Sequence, residues 1–406
     1  MQKIAVIGGG PSGMMAAITA AQAGAEVLIL EQKEKLGKKL LSTGNGRCNF
    51  TNLHQEPICY HCEDMTFPWR IVEKFNVQQT VSFFLSLGVY SRNRNGYLYP
   101  QSDQASAVLE VLRLEAERLG VKIQTSVRCT EILPSKKGFQ IYTDRGTVRA
   151  GKVVLSAGSK AAPALGSDGS GYTMARRLGH TLVPVLPALV QLRCRETFYK
   201  KIAGVRANGS VSVYIDGALQ ARDQGEIQLT DYGISGIPVF QVSRYASIGL
   251  FQKKQVTAVL NFMPDFTKEQ FTAFLKRRIE ERPEKKMEDF FTGLFHQKLS
   301  ALWLHIAHVD GKKKAGACSD QEIEGMAKAI CSLETEIQAA NPFEKAQVCR
   351  GGVATEEVCP ETLESLRIPG LYFAGEILDV DGLCGGYNLQ WAWSSGYVAG
   401  KAAAGS

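Results

Sequence analysis

The first thirty-one residues constrain this chain more than any other stretch. Ile4-Ala5-Val6-Ile7 is a continuous apolar run, the mark of a parallel strand buried on both faces. Gly8-Gly9-Gly10-Pro11-Ser12-Gly13 follows at once and fits G-x-G-x-x-G; then comes the helix-prone Met14-Met15-Ala16-Ala17-Ile18-Thr19-Ala20-Ala21. Gly24 and Ala25 end that helix, Val27 to Leu30 supplies a second strand, and Glu31 stands 23 residues after Gly8. Strand, glycine turn, helix, strand and acid in this order predict a dinucleotide-binding βαβ unit. Gly8, Gly10 and Gly13 let backbone approach a pyrophosphate. Pro11 and Ser12 open a helix whose N-terminus faces the phosphates, and Glu31, with Gln32 beside it, meets the ribose.

Glycine is clustered along the chain. Residues 1–46, 158–171 and 351–400 hold 21 of the 40 glycines in 110 positions, so three islands need a common cause. The first continues past Glu31 into Gly37-Lys38-Lys39-Leu40-Leu41-Ser42-Thr43-Gly44-Asn45-Gly46-Arg47-Cys48-Asn49, a basic loop rich in Gly and Asn. Backbone donors and fixed cations, carried here by Lys39, Thr43, Gly44, Arg47 and Cys48, suit a flavin extending past its pyrophosphate better than a nicotinamide. In the centre, Val153-Val154-Leu155-Ser156 runs as a buried strand into Ala157 and Gly158, at the end of a sheet where nucleotides bind. Gly120 to Val127 reads as another strand, placing the backbone of Val127 against an adenine. The last island is a strand ending in Gly375-Glu376, an acidic loop with Asp379, then Gly385-Gly386-Tyr387-Asn388-Leu389 and a helix from Trp391 to about Ala404. Glu376 or Asp379 would bind ribityl hydroxyls, and the helix N-terminus beyond Gly386 would face the flavin edge that gains negative charge on reduction.

The blocks GKKLLSTGNGRCNFTN (37–52), GEIQLTDYGISG (225–236), RGGVATEEV (350–358) and GLYFAGEILDVDGLCGGYNLQWAWSSG (370–396) resemble the YhiN/BaiN group of flavoproteins over the whole chain. The resemblance implies an α/β fold: a glutathione-reductase-like Rossmann FAD domain with inserted β-rich and helical domains. It implies FAD contacts at Ser12, Glu31, Lys39, Arg47, Cys48, Val127, Gly158, Glu376, Asp379, Asn388 and Leu389. The expected boundaries are 1–180 and 350–406 for the two parts of the FAD-binding domain. A β-rich substrate domain takes 181–262 and about 333–349, and a helical insert takes 263–332. Short alternating segments at Val183–Leu192, Gly209–Ile215 and Val256–Phe262 carry the β-rich reading. Thr267-Lys268-Glu269-Gln270, followed by Phe271, Phe274 and Leu275, starts the helical one.

Other classes fit less well. The net charge of +7 is a weak attractant for polyanions, and Lys276-Arg277-Arg278, Lys285-Lys286 and Lys312-Lys313-Lys314 lack interleaved aromatics, so they read as solvated faces and a nucleic-acid partner is disfavoured. No apolar run reaches the length of a membrane span, and the N-terminal run is too short for a signal peptide; a cytoplasmic protein is expected. The ten cysteines show no repeated spacing and read as reduced thiols. Cys59-Tyr60-His61-Cys62 is a solitary pair without a partner pair or metal-ligand grouping, so no metal is expected.

The resemblance implies an FAD-dependent oxidoreductase that uses NADH or NADPH to reduce a C=C bond conjugated to a ketone, with a 3-oxo bile acid or steroid as substrate. Gly166 to Gly171 has its glycines in the wrong order for a second nucleotide fold, so the nicotinamide would be a transient donor. The insert would lie over the flavin ring, with substrate at the domain boundary. Tyr232 and Tyr387 are the candidate proton or hydrogen-bond donors. A flavin oxidase of a small amine or amino ketone, and a flavin-bearing nucleic-acid-binding protein, are the alternatives.

Overall fold

The N-terminal apolar run becomes β1 (Lys3–Ile7), the middle strand of a five-stranded parallel sheet. The computed structural model describes residues 3–405. β2 (Glu26–Leu30) and β3 (Lys122–Gln124) extend the sheet on one side of β1; β4 (Lys152–Leu155) and β5 (Leu371–Phe373) extend it on the other. Ile4 to Val6, Ile29, Val153 to Leu155 and Phe373 have no exposed surface, as a sheet covered on both faces requires. Helices α1 (Pro11–Gln22) and α2 (Tyr387–Ala404) pack against each other and reach the sheet. They touch backbone to backbone: a Cβ on Gly396 would lie 2.4 Å from the Ser12 carbonyl oxygen, and one on Gly400 would lie 2.3 Å from that of Ala16. The first and last parts of the chain therefore build one Rossmann-type unit, which comprises the chain up to Leu186 and the segment from Gln347 onward.

A buried relay ties that unit's two chain segments together. His180 Nδ1 lies 3.0 Å from Glu357 Oε2, and its Nε2 lies 3.0 Å from Ser365 Oγ. Arg367 donates to the other Glu357 oxygen at 2.6 Å, and the Thr181 N–H donates to Glu357 at 3.0 Å.

The second unit is Pro187–Ala346. Six antiparallel strands close into a barrel in the order Leu192–Cys194, Gly233–Ser235, Ala218–Thr230, Arg206–Ile215, Val256–Asn261, Leu333–Ala340. Helices Lys268–Glu281, Gln297–Ile306 and Asp320–Cys331 belong to it, the first opened by a capping box between Thr267 and Gln270. Val211, Val213, Ala258 and Leu260 from the barrel share one core with Phe271, Trp303 and Ile330 from the helices. The β-rich and helical segments thus form a single unit with a common core.

Several local expectations shift. Leu182–Ala188 pairs with Val348–Val353 in a two-stranded sheet outside the barrel. The strand expected over 120–127 is only Lys122–Gln124, because Ser126 turns the chain with φ +53°. The last helix starts one turn before Trp391, at Tyr387, where Gly386 adopts φ +96° as its cap.

Candidate cofactor and active site

The glycine turn after β1 is shaped by contact. A Cβ on Gly13 would lie 1.9 Å from the Gly8 carbonyl oxygen, so only glycine lets α1 start this close to the strand. Gly8 N–H bonds the end of β2 at Leu30, Met14 N–H bonds Gly10, and Pro11 sits in the first turn, where its missing N–H costs nothing. Glu31 accepts from the Gly9 N–H at 2.7 Å through one oxygen and from the Lys33 N–H at 2.8 Å through the other. Burial raises its pKa, opposed by these two N–H groups. Each oxygen keeps a lone pair for a ribose hydroxyl.

The three glycine islands meet at Glu376. Lys39 from the first donates to Glu376 Oε2 at 2.6 Å, and Ser159 from the second donates to the same oxygen at 2.8 Å. Tyr172 donates to the Glu376 backbone carbonyl at 3.2 Å. Ser12 Oγ reaches the Ala374 carbonyl at 3.3 Å, while Gly375 is held on both sides, its N–H by Ser395 and its carbonyl by Trp391. Asp379 is buried and its N–H donates to the Val353 carbonyl at 3.0 Å.

The remaining sequence candidates occupy several settings. The exposed segment carrying Thr43, Gly44 and Arg47 turns through left-handed Gly44 and Asn45. Cys48 is fully buried at φ +59°, and burial pushes its thiol up to about 12, so it stays a neutral thiol and only its backbone can serve a ligand. At the Glu31 end, the Val127 N–H is already engaged by the Glu31 carbonyl, so any ligand contact expected of Val127 would fall to its carbonyl. Gln32 donates to the Gly166 carbonyl and accepts from Arg128, which pairs with Asp168 at 2.7 Å; Ala157 and Gly158 follow β4. At the opposite end, the Asn388 side chain bonds Gly382 and Leu383, so it organises the loop before α2. Gln390 N–H makes the first helical bond, to Gly386; the N–H groups of Tyr387, Asn388 and Leu389 lie ahead of that ladder.

The two tyrosines differ in setting. Tyr387 is buried, edge-on to Tyr60 at 6.0 Å, and burial holds its phenol far above the ordinary value, so it stays protonated. Tyr232 belongs to the second unit, where its hydroxyl accepts from Asn341 at 3.1 Å and Arg193 lies over its ring at 5.0 Å.

Three residues of the Rossmann-type unit escaped the sequence reading. Ser159 completes the Glu376 cluster. Asn49 Oδ1 and Arg350 Nε are buried and make no hydrogen bond. Asn49 and Arg350 lie inside the conspicuous blocks 37–52 and 350–358, which was the only available signal. Orphaned polar atoms and a backbone cradle at α1 fit a ligand that brings its own polar groups and phosphates, as FAD does.

Residues 2–402 match the HI0933-like protein Rossmann domain. The chain belongs to the HI0933-like family. Members of this YhiN/BaiN-like family are FAD-dependent oxidoreductases, and the chain is accordingly an FAD-dependent enzyme. Among HI0933-like relatives, it is 46% identical over 406 residues to the 3-dehydro-bile acid delta(4,6)-reductase of Clostridium scindens, covering 100% of this chain and 99% of that one. It is 28% identical to the ribosomal RNA dihydrouridine synthase of Escherichia coli, covering 98% and 96%. Among solved structures, a flavocytochrome c3 fumarate reductase in its open conformation aligns with a TM-score of 0.49 at 15% identity, covering 100% of this chain and 78% of that one. Among the described residues no helix is long and apolar enough to cross a membrane.

Proposed function

We propose that this protein uses NADH or NADPH to reduce a C=C bond conjugated to a ketone, on a 3-oxo bile acid or a related steroid. The single observation that carries this reading is the 46% identity, end to end, with a 3-dehydro-bile acid delta(4,6)-reductase. FAD, when bound, supplies the two-electron carrier that passes hydride from nicotinamide to substrate. Glu31 would hold the adenosine ribose, the N-terminus of α1 the pyrophosphate, and Lys39, Glu376 and Asp379 the chain between pyrophosphate and ring. The reaction delivers hydride to the β-carbon and a proton to the α-carbon, while nicotinamide leaves oxidised. Tyr387, kept protonated by burial, and Tyr232 are the proposed donors of that proton, to be replaced from water.

The same reaction class covers the more distant relative, since dihydrouridine is uridine with a ring C=C bond, conjugated to a carbonyl, reduced. The lysine clusters do not strengthen an RNA reading: Lys276 is paired with Asp320 at 2.5 Å and Lys313 with Glu322 at 2.8 Å.

Anaerobic titration of the FAD-loaded enzyme with NADH and with NADPH, followed by a 3-oxo-Δ4 steroid, a 3-oxo-Δ4,6 bile acid and a uridine-containing ribosomal RNA, tests the proposal. Loss of the enone ultraviolet band with reoxidation of the flavin is expected. No enone consumption with either donor overturns it, and reduction of the RNA alone moves the substrate class. Rapid reoxidation by air, with peroxide release and no need for nicotinamide, marks an oxidase instead.

A further inference from the structure

Arg350 is an enclosed cation of the cofactor-binding unit whose guanidinium is only partly satisfied. It sits on the strand Val348–Val353, its side chain 17% exposed. Nε is buried without a hydrogen bond. Nη1 reaches only the Pro184 carbonyl, at 3.3 Å, and Nη2 lies 4.0 Å from Glu63, a carboxylate that is itself two-thirds exposed. An arginine this enclosed normally has a bidentate acceptor, because a buried charged donor left unpaired is costly. The chain has nonetheless built the position. Gly351 follows Arg350, and a Cβ there would lie 2.1 Å from the Pro184 carbonyl oxygen. Only glycine therefore lets the strand lie flush enough to bring the guanidinium inward.

Its strand runs beside one end of the candidate site. Val353, on the same strand, bridges to Leu378, and its carbonyl accepts the Asp379 N–H. Glu63 comes just after Tyr60–His61, which pairs with Asp381–Gly382, the short strand whose backbone Asn388 holds at the start of α2. With Glu31, Gln32 and Val127 proposed for the adenine end, the strand of Arg350 runs beside Asp379, away from that end.

We infer that Arg350 binds the substrate's carbonyl oxygen and holds the negative charge that develops there as hydride reaches the β-carbon. This rests on the enone-reductase reading for the identity of that oxygen. The guanidinium donates hydrogen bonds and transfers no proton; the α-carbon proton comes from a separate donor, so charge and atoms balance. A preformed cation at an enclosed site is worth most where charge appears only in the transition state.

The test compares FAD-loaded wild type, Arg350→Gln and Arg350→Lys, after matching FAD content and melting temperature. In stopped flow, Arg350→Gln should slow flavin reoxidation by the enone about a hundredfold to a thousandfold, with reduction by nicotinamide unchanged and partial recovery in Arg350→Lys. A second arm needs no turnover: p-nitrophenol, titrated against pH, should bind the oxidised wild type as phenolate and perturb the flavin spectrum. Arg350→Gln should weaken that binding at least tenfold, with Arg350→Lys intermediate. Phenolate binding that depends on Arg350 in an enzyme that reduces no enone keeps the oxyanion site and removes the substrate class. Equal phenolate binding in all three proteins, no phenolate binding to wild type, or equal slowing of both half-reactions overturns the assignment.

Discussion

Glu31 holds its turn with the same carboxylate that is proposed to meet the ribose. Both oxygens already accept a backbone N–H, from Gly9 and Lys33, and the group is buried. In Glu31→Gln one of those N–H groups would meet an NH2, and the ribose would lose an ionised acceptor. Hydrogen bonds to a charged group are worth about 1.5–3 kcal/mol. Glu31→Gln is therefore expected to weaken FAD binding about tenfold to a hundredfold, read by titrating apoprotein and following flavin fluorescence. Unchanged affinity with a lowered apoprotein melting temperature would make Glu31 a turn-holding residue only. Arg350 makes the complementary point. Its motif was conspicuous in the sequence, but the want of an acceptor arises from residues 63 and 184, far away along the chain, and no local pattern reports it.

At the scale of elements, the relay from His180 through Glu357 and Ser365 pins the end of one chain segment to the loop between Val348–Val353 and β5. His180 is held below its ordinary value, chiefly because burial disfavours its charged form, although Glu357 pulls the other way and Arg367 reinforces the lowering. Burial works to raise Glu357, but the hydrogen bonds from Arg367 and Thr181 prevail and hold it at about 2. Both shifts destabilise the fold on acidification. The unfolded chain takes up the His180 proton first, so stability falls as pH drops through about 6.5; the Glu357 contribution is complete above about 4.5 and is lost toward pH 2. The melting temperature should fall between pH 7 and 5.5, and His180→Gln should flatten that stretch while leaving the decline below pH 4.5. A wild-type curve that is flat from pH 7 to 5.5 refutes this. The elements themselves were legible to different degrees. β1, α1 and β2 could be read because turn glycines, apolar runs and the acid lie within thirty-one residues. The barrel strands alternate visibly, yet closure depends on Leu192–Cys194 pairing with Leu333–Ala340, and sequence alternation carries no information on partners so far apart. The Lys39, Ser159 and Glu376 cluster was hidden for the same reason: each residue stood in a readable island, and their meeting is a property of the sheet.

For the whole molecule, the division into two cores separates cofactor binding from the inserted barrel and helices. A ligand stabilises the structure that binds it and leaves independent cores at their own stability. Hydrogen exchange on FAD-loaded and FAD-free protein should show slowing concentrated at residues 8–13, 31–33 and 375–389, with the Trp303 core of the second unit nearly unchanged. Uniform slowing across both cores would show that the chain unfolds as one cooperative body.

The Rossmann-type unit also has an order of assembly written into its strands. β1, α1 and β2 are synthesised well before β5 and α2, which add to the edge of the sheet and pack on α1. During synthesis the nascent chain must carry Met15, which meets Gly396 of α2, uncovered while the inserted barrel and helices are produced and can fold. Glu376, Asp379 and the N-terminus of α2 are made only after the whole insert, so a cofactor site assembled from both segments is completed late in synthesis.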